Sequence, residues 1–298
     1  MTEIVPKEAE ALLSWQGLLA AFEAGHKLPL SDIKDMFLYR DKDTILNRGA
    51  WIDGLGALVK AATVYPGNAA RGLPTIFGVV SLFDDVTGEL NAILDFHLVT
   101  KWKTAGDSLL SASRLARKDA REFLLVGAGA VARSMVEAYS SVFPEARFTV
   151  WSRTRESAAA MGLPVADDLE AAVRKADVIC SATMATSPLI KGDWLQPGQH
   201  IDLIGAYKPG MREVDDRAMQ RARIFVDSRA TTIHHIGELI DPIASGAITE
   251  ADVVADFYDD PALYARRSDD EITIAKNGGG AHLDLMTASY IAERWRTR

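Results

Sequence analysis

Residues 118–276 alternate between short apolar runs and segments whose apolar side chains recur with helical periodicity. The run from Glu122 to Val126 predicts a strand buried on both faces, and the segment from Ala130 to Val142 predicts an amphipathic helix after it. Further strands are predicted at Arg147 to Trp151, Asp177 to Ala182, His200 to Gly205, Arg223 to Val226 and Glu271 to Lys276. Further helices are predicted at Glu156 to Met161 and Asp168 to Lys175. Strands that alternate with helices are typical of a doubly wound α/β sheet.

The pattern of residues 1–117 is different, because extended runs follow one another without helices between them. Two helical pieces lie between Pro6 and Leu28, and their apolar face around Trp15 and Phe22 is interpreted as core or as a subunit contact. Strands are then predicted at Met36 to Tyr39, Thr44 to Trp51, Ala57 to Val64, Thr75 to Phe83 and Leu90 to Asp95, followed by a helix from about His97 to Arg117. This order predicts an α+β unit with an antiparallel or mixed sheet.

The closing helix, Ala281 to Trp295, is not required to complete a doubly wound domain, and we expect it to pack with the first domain. The predicted domains are therefore a discontinuous α+β domain, 1–117 with 277–298, and a central α/β domain, 118–276.

Composition narrows the class of protein. The chain has 298 residues and a formal net charge of −8, which argues against nucleic acid as a partner. It has no apolar run long enough to span a membrane and no signal-peptide pattern, so we expect a cytoplasmic protein that binds no membrane. The single cysteine, Cys180, lies in an apolar run and is interpreted as a core thiol. The adjacent His234 and His235 lack metal-ligand spacing, so no metal site is predicted.

A glycine-rich turn joins the predicted strand at Glu122 to the helix at Ala130. Its sequence, Gly127-Ala128-Gly129-Ala130-Val131-Ala132, has the spacing G-x-G-x-x-A in the strand, turn, helix and strand context of a dinucleotide-binding Rossmann domain. Gly127 permits the tight turn and Gly129 permits close approach of a pyrophosphate, which the helix N-terminus attracts. We therefore predict that residues 127–131 bind a dinucleotide.

The end of the next strand predicts which dinucleotide is bound. An NAD site usually places Asp or Glu there, whereas this chain has Ser152-Arg153-Thr154-Arg155. Hydroxyl and guanidinium groups suit a 2′-phosphate. The prediction is NADP(H), bound by Ser152, Arg153 and Thr154, with NAD(H) as the alternative.

Lysines provide the candidate chemistry of the first domain. Lys60 lies in an otherwise apolar strand, where an ammonium group is costly unless it is paired or needed, so it could bind a substrate carboxylate or donate a proton. The alternative is a strand-end lysine whose stem reaches solvent. Lys101 and Lys103 point to different sides of their helix, so at most one faces a cleft, and spacing alone favours solvation of both.

Several separated segments resemble the ornithine cyclodeaminase and mu-crystallin family over nearly the whole chain. These segments are Val59 to Pro66, Gly72 to Thr75, Leu98 to Thr100, Lys103 to Ala105, the Gly127 turn, Trp151 to Thr154, Ser181 to Thr183 and Val226 to Ser228. The resemblance implies a substrate and dimerisation domain built from both chain ends, a central Rossmann domain and a homodimer.

The resemblance also implies roles for individual residues. Lys60 matches the substrate-site lysine, and Lys103-Thr104 occupies the place of an Arg-Thr pair near the nicotinamide and the substrate carboxylate. Arg48, or alternatively Arg40, matches a carboxylate-binding arginine. Thr75 matches a hydroxyl residue beside substrate and nicotinamide, and Asp284 matches an acidic residue of the pocket. On the cofactor side the implied residues are Thr104, Thr183, Met184 and Gly205, in addition to those of the glycine turn.

One departure from the family pattern concerns the reaction. Cyclodeaminases and related alanine dehydrogenases carry Asp after the glycine that ends the fifth strand, whereas this chain has Tyr207 in Gly205-Ala206-Tyr207. A phenol is a poor proton acceptor at neutral pH. The resemblance therefore implies an NADPH-dependent reductase of a small cyclic ketimine carboxylate, with Lys60 and Lys103 as catalytic residues. The alternatives are an ornithine cyclodeaminase or amino-acid dehydrogenase, and a non-catalytic NADPH-dependent binding protein.

Overall fold

The computed structural model describes residues 2–298, and the chain divides into two compact units. One comprises Met1–Lys103 with Gly280–Arg298, and the other comprises Thr104–Gly279. The closing helix thus joins the N-terminal part of the chain. The sequence-based boundaries assign residues 104–117 and 277–279 to the first unit, whereas the structure assigns them to the second. A single uninterrupted helix crosses from Lys103 to Thr104, so its periodicity contains no signal of where its packing partners change.

The first unit contains a mixed six-stranded sheet with the order β1-β6-β5-β4-β3-β2. Its strands are β1 (Glu3–Val5), β2 (Asp32–Arg40), β3 (Asp43–Ile52), β4 (Gly56–Val64), β5 (Ile76–Phe83) and β6 (Leu90–Asp95). Only β1 pairs in parallel, and its partner is β6. The sequence pattern did not predict β1 because this strand is only three residues long. Short 3-10 helices lie at Lys7–Leu12 and Pro66–Arg71. One face of the sheet packs against the closing helix, Ala281–Arg296.

The N-terminal helix α1 (Trp15–Gly25) packs on the closing helix. Ser14 caps α1, since its side chain accepts a hydrogen bond from the backbone of Gly17. Leu18 and Phe22 are fully buried, and Trp15 stacks on Trp102 with ring centroids 4.1 Å apart. The apolar face of α1 is therefore core within this unit, which decides between the two interpretations that the sequence left open.

The second unit contains a parallel seven-stranded sheet with the order β12-β11-β13-β10-β9-β7-β8. Its strands are β7 (Glu122–Val126), β8 (Arg147–Trp151), β9 (Val178–Ser181), β10 (His200–Leu203), β11 (Arg223–Val226), β12 (Val253–Ala255) and β13 (Thr273–Lys276). Besides α1, the α-helices within residues 2–298 are α2 (Phe96–Leu115), α3 (Ala130–Val142), α4 (Arg155–Ala159), α5 (Leu169–Lys175), α6 (Asp216–Arg221), α7 (Arg229–Thr232), α8 (Gly237–Ala244) and α9 (Ala281–Arg296). Further 3-10 helices lie at Gly192–Trp194 and Glu250–Asp252.

The parallel strands form the core of this unit because most of their side chains are apolar and buried. Val126, Ile179, Ile201 and Val226 are all fully buried, and burial of one such side chain contributes roughly 1.5–3 kcal/mol. Cys180 is also buried in β9, which confirms the prediction of a core thiol. The doubly wound fold predicted from the alternation is thus present.

The strand order places a switch point at β7, which has β8 on one side and β9 on the other. Because all strands of this sheet are parallel, the turns after β7, β8, β9 and β10 lie at one edge. Dinucleotides bind at that edge in open α/β sheets. Within residues 2–298 no helix is long and apolar enough to cross a membrane, and no cluster of side chains is suited to hold a metal ion.

Candidate active site

A row of charged side chains crosses the sheet of the first unit. The antiparallel register sets Asp35 of β2 opposite Arg48 of β3, and Arg48 opposite Lys60 of β4. Directly opposed residues share one face of a sheet, with Cβ atoms roughly 5 Å apart. Helix α9 packs against this face, where Lys60 is buried, whereas Arg48 is half-buried and Asp35 on the edge strand is exposed.

Lys60 is the central side chain of this row and is only 5% exposed. Its Nζ donates hydrogen bonds to Oδ1 of Asp284 at 2.8 Å and to Oγ1 of Thr100 at 2.7 Å. It also lies 4.7 Å from the ring centroid of Phe96. Helix α9 supplies Asp284, whereas α2 supplies Thr100 and Phe96 one turn apart. The alternative of a strand-end lysine that reaches solvent is therefore wrong for this residue.

The environment of Lys60 brings its pKa into the range of acid–base chemistry. Burial lowers the pKa from 10.5 to about 8, and the charges of Lys103 and Arg48 act in the same direction, while Asp284 opposes them. An isolated ammonium group would lose several kcal/mol on burial, so the ion pair with Asp284 keeps the proton on Lys60 at neutral pH. Lys60 can therefore donate a proton close to physiological pH.

Asp284 is fully buried but remains the anionic partner of the cluster. Burial alone would raise its pKa, yet Lys60, Lys103 and Arg48 outweigh burial, so its pKa lies below the ordinary value. Its position in the first turn of α9 adds the favourable field of the helix N-terminus. The second oxygen, Oδ2, accepts no hydrogen bond and lies 3.7 Å from Nη1 of Arg48. That oxygen is available to an N–H donor of a ligand.

Arg48 is held in a fixed orientation by Asp35. Its Nε and Nη2 atoms donate to the two oxygens of that carboxylate at 3.1 Å and 2.7 Å. This bidentate pair occupies one edge of the guanidinium group and directs Nη1 toward Asp284. Arg40, the other candidate for this role, lies at the hairpin between β2 and β3 and pairs with Asp43 there. The structure thus places Arg48, and not Arg40, beside Lys60.

Lys103 belongs to the same cluster, because its charge lowers the pKa of both Lys60 and Asp284. It is 6% exposed, so the interpretation from spacing that it is solvated is wrong. Lys101 lies on the other side of α2 and pairs with Glu10. The sequence did not reveal the burial of Lys103 because a helix that is covered on several sides has no clear polar face.

His282 interacts with Lys103 and Asp284 but adds no charge to the cluster. His282 is fully buried, and burial together with His26 and Lys103 holds its pKa well below the usual range, so it is neutral at physiological pH.

Thr75 lies just before β5, where its carbonyl accepts a hydrogen bond from the backbone N–H of Tyr65. Tyr65 is five residues beyond Lys60, about 16 Å along an extended strand. The structure does not bring Thr75 to the lysine cluster.

In the second unit the glycine turn has the geometry that a pyrophosphate requires. Gly127 has a φ of +108°, and a Cβ there would lie 2.6 Å from the carbonyl oxygen of Ala182, so this position needs glycine. A Cβ on Gly129 would meet no atom within 4 Å. Gly129 begins α3 without a side-chain cap, which leaves its N-terminal N–H groups for a phosphate. Ala128, Ala130 and Val131 complete this turn, so these residues fit a dinucleotide.

The other predicted cofactor residues follow neighbouring strands at the same edge. Ser152, Arg153 and Thr154 come after β8, Thr183 and Met184 after β9, and Gly205 after β10. Arg153 is exposed, whereas the guanidinium of Arg155 pairs with Asp167. Tyr207 is 56% exposed on the turn after β10. Thr104 is half-buried on α2.

Three groups that the structure places next to the candidate residues were not predicted from the sequence. Asp35 reaches Arg48 only through the register of β2 and β3, which no local pattern specifies. Thr100 was noticed only as part of a matching segment, although it lies one helical turn before Lys103, and this spacing is a usable signal. Glu213 accepts hydrogen bonds from Thr183 and Gly205, and its sequence neighbourhood gives no indication of this.

The chain is similar to known proteins along most of its length. Residues 53–298 match the model of the ornithine cyclodeaminase/mu-crystallin family. The chain belongs to this family. A relative is the Δ(1)-pyrroline-2-carboxylate reductase of Paracoccus denitrificans, 52% identical over 297 residues, with 96% of this chain and 94% of that protein covered.

Solved structures of other proteins have the same fold as this chain. An archaeal alanine dehydrogenase dimer with bound NAD has a TM-score of 0.88 and 27% identity, and 99% of this chain and 96% of that chain are covered. The iminosuccinate reductase of Paracoccus denitrificans in complex with NAD+ has a TM-score of 0.86 and 27% identity, with 99% and 97% covered. These structures contain a nicotinamide dinucleotide, in agreement with the predicted class of cofactor.

Proposed function

We propose that this protein is an NADPH-dependent reductase of a cyclic ketimine carboxylate. The first candidate substrate is Δ1-pyrroline-2-carboxylate, which gives L-proline, and the second is Δ1-piperideine-2-carboxylate, which gives L-pipecolate. The observation that carries the proposal is the buried Lys60, with a pKa of about 8 and an ion pair to Asp284, in a family member 52% identical to a Δ(1)-pyrroline-2-carboxylate reductase.

The charge of the cluster supports a substrate with one carboxylate. Arg48, Lys60 and Lys103 are cationic, whereas Asp35 and Asp284 are anionic, which leaves one positive charge in excess. A monoanionic imino acid neutralises this excess when it binds. A dicarboxylate would leave an unpaired negative charge in a buried site, which is costly.

Each residue of the cluster then has a distinct role. Arg48 binds the substrate carboxylate through its guanidinium group, which Asp35 holds in a fixed orientation, and Lys103 adds a second positive charge. Lys60 donates the proton to the imine nitrogen, because its pKa of about 8 lets it act as an acid near neutrality. Oδ2 of Asp284, which has no hydrogen-bond partner, accepts the N–H of the protonated imine and so orients the ring. NADPH, when bound, supplies the hydride to the C2 carbon.

The cofactor preference rests on the end of β8. Arg153 is exposed there, with Ser152 and Thr154 beside it, and no acidic residue occupies the position that binds ribose hydroxyls in an NAD site. A guanidinium group can pair with a 2′-phosphate in bidentate geometry. We therefore assign NADP(H) as the preferred cofactor and NAD(H) as a weaker one.

A homodimer is part of the proposal. The sheet face opposite Lys60 exposes large apolar side chains on four adjacent strands: Met36, Leu38, Ile45, Trp51, Val59, Phe77 and Val79. Contiguous apolar surfaces of this kind are typical of protein interfaces. We infer that two copies of the chain pack through this face, and we expect the dimer to be cytoplasmic.

The test is turnover of NADPH with each cyclic imine, run beside NADH and beside L-ornithine with NAD and ammonia detection. The expected result is imine reduction that prefers NADPH, which Lys60→Met loses while it still binds the cofactor. Ammonia release from ornithine would instead establish a cyclodeaminase. It would also show that Tyr207 in place of Asp does not prevent cyclodeamination. Binding of imines without NADPH oxidation would identify a binding protein.

A further inference from the structure

Glu213 is a fully buried carboxylate that joins two separate loops of the second unit. Its Oε1 accepts hydrogen bonds from Oγ of Ser181 at 2.6 Å and from the backbone N and Oγ1 of Thr183, both at 2.8 Å. Its Oε2 accepts from the backbone N of Gly205 at 2.7 Å and of Ala206 at 3.2 Å. Both oxygens are therefore fully used, each by a different loop.

These two loops follow β9 and β10, which are adjacent in the sheet, and they are in close contact. A Cβ on Gly205 would overlap the backbone of Thr183 and would lie 2.7 Å from Oε1 of Glu213. Side chains are thus excluded between the loops, and the carboxylate takes the place of direct backbone pairing. Without it, the buried N–H groups of Thr183 and Gly205 would lack an acceptor.

Glu213 is itself fixed by its surroundings. Its backbone N–H and that of Val214 donate to the two oxygens of Glu238 at 2.7 Å and 3.1 Å. The ammonium group of Lys276 is fully buried, donates to the carbonyl of Leu203 and interacts electrostatically with Glu213. A nearby cation and five hydrogen bonds offset the desolvation of this carboxylate, so Glu213 is held rigidly.

The strand order indicates which half of a dinucleotide these loops face. The glycine turn after β7 and the Ser152-Arg153 segment after β8 take the pyrophosphate and the adenosine half. The loops after β9 and β10 lie on the other side of the switch point at β7. The nicotinamide half must therefore lie over the loops that Glu213 joins.

We propose that Glu213 is a positioning residue that fixes the loops at Thr183 and Gly205 so that they bind the nicotinamide half of the cofactor. This role rests on the proposed function as a dinucleotide-dependent reductase. Glu213 does not touch the reacting atoms. It acts through the backbone of the two loops and determines their spacing.

Glu213→Gln tests this role because it keeps the shape and removes one acceptor. If the amide NH2 lies toward Gly205, it meets two backbone N–H groups, and if it lies toward Thr183, it meets one. In either orientation at least one buried N–H loses its partner, so the loops must separate. The loss of one such charge-assisted bond corresponds to roughly tenfold or more in affinity.

Asp177→Asn is the matched control. Asp177 also accepts hydrogen bonds from two backbone N–H groups, those of Arg121 and Glu122, and one from Arg117. It lies at the amino ends of β7 and β9, on the opposite edge of the sheet. This variant is expected to lower thermal stability and to leave the binding of both cofactor halves unchanged.

The measurement is calorimetric titration of the full-length protein with NADPH and, separately, with adenosine 2′,5′-bisphosphate, which represents the adenosine half. We expect Glu213→Gln to raise the Kd of NADPH roughly tenfold or more while the Kd of the bisphosphate stays within about twofold. Equal weakening of both ligands, or no weakening of either, would overturn the positioning role. Wild-type protein that binds neither ligand would refute the proposed function itself.

A second variant covers the case in which Glu213→Gln does not fold. Ser181→Ala removes one donor to Oε1 from within β9 and leaves the loops intact. It is expected to raise the Kd of NADPH roughly threefold and to leave the bisphosphate unaffected. NADPH binding identical to that of the wild type in this variant would contradict the proposal.

Discussion

The charge of Asp284 determines the pH at which the proposed reductase loses activity, because this carboxylate lies 2.8 Å from Nζ of Lys60. Burial lowers the pKa of Lys60 to about 8, and Asp284 opposes a larger decrease. A reaction that needs the ammonium form has full activity well below this pH. Above about pH 8, kcat/KM is expected to fall tenfold per pH unit as Lys60 loses its proton.

Asp284→Asn removes this charge and keeps the shape of the side chain. An opposite charge in contact shifts a pKa by roughly 1–3 units, so the basic limb of the pH profile should move from about 8 to between about 5 and 7. At pH 7.5 the ammonium fraction then falls from about 0.76 to about 0.24 for the smallest shift. The expected loss of kcat/KM at that pH is roughly threefold for the smallest shift and about two hundredfold for the largest.

The assay is the initial rate of NADPH oxidation at limiting imine concentration across the pH range. The position of the basic limb is the readout, because replacement of one Asp284 oxygen by an NH2 group also lowers the overall rate at every pH. Asp35→Asn is the matched control, since Asp35 contacts Arg48 and not Lys60, and it should raise KM without moving the limb. A basic limb of Asp284→Asn that coincides with that of the wild type would refute the assignment of Lys60 as the titrating acid.

Three further predictions concern the cofactor, the dimer and stability. Arg153→Ala is expected to lower kcat/KM for NADPH roughly tenfold and to leave NADH nearly unchanged, since only NADPH has the 2′-phosphate; steady-state kinetics with both cofactors measures this. Val59→Asp places a charge in the exposed apolar sheet face and is expected to yield monomers in light scattering, whereas an intact dimer would contradict the proposed interface. Burial and Glu213 raise the pKa of Glu238 from 4.5 to about 7, so the native state binds this proton more tightly than the unfolded chain, and stability should fall by roughly 3 kcal/mol as the pH rises from 4.5 to about 7. Urea unfolding should show this slope in the wild type and its absence in Glu238→Gln.

The cofactor side of the protein could be predicted largely from local sequence. The apolar run before Gly127, the two glycines and the helix after them are contiguous, and each requirement of the turn is met by residues close in the chain. The backbone conformation at Gly127 depends mainly on the absence of a side chain at that residue. The strands that lead to Thr183 and Gly205 followed from the alternation of strands and helices, whereas the choice of these residues rested on the family resemblance. The carboxylate that joins their loops was not predicted. Glu213 lies beyond both loops in the chain, and only the fold brings it beneath them.

The substrate side depended on the family resemblance for the choice of Lys60, Lys103 and Asp284. Residue types alone left Lys60 between a functional and a solvated role, and they favoured solvation of Lys103. The structure places Lys60 and Lys103 among buried charges, because α9 covers the sheet face on which Lys60 lies. Thr75, which rested on the resemblance alone, lies away from this cluster.

The sequence by itself thus determined most of the elements, the class of fold and the glycine turn, because helical and strand periodicity and glycine conformation are local properties of the chain. Only the tertiary structure decided which charged groups meet. Asp284 is 224 residues from Lys60, and Asp35 reaches Arg48 through strand register alone. The pKa of Lys60 depends on burial and on these neighbours, and such long-range contacts exist only in the folded protein.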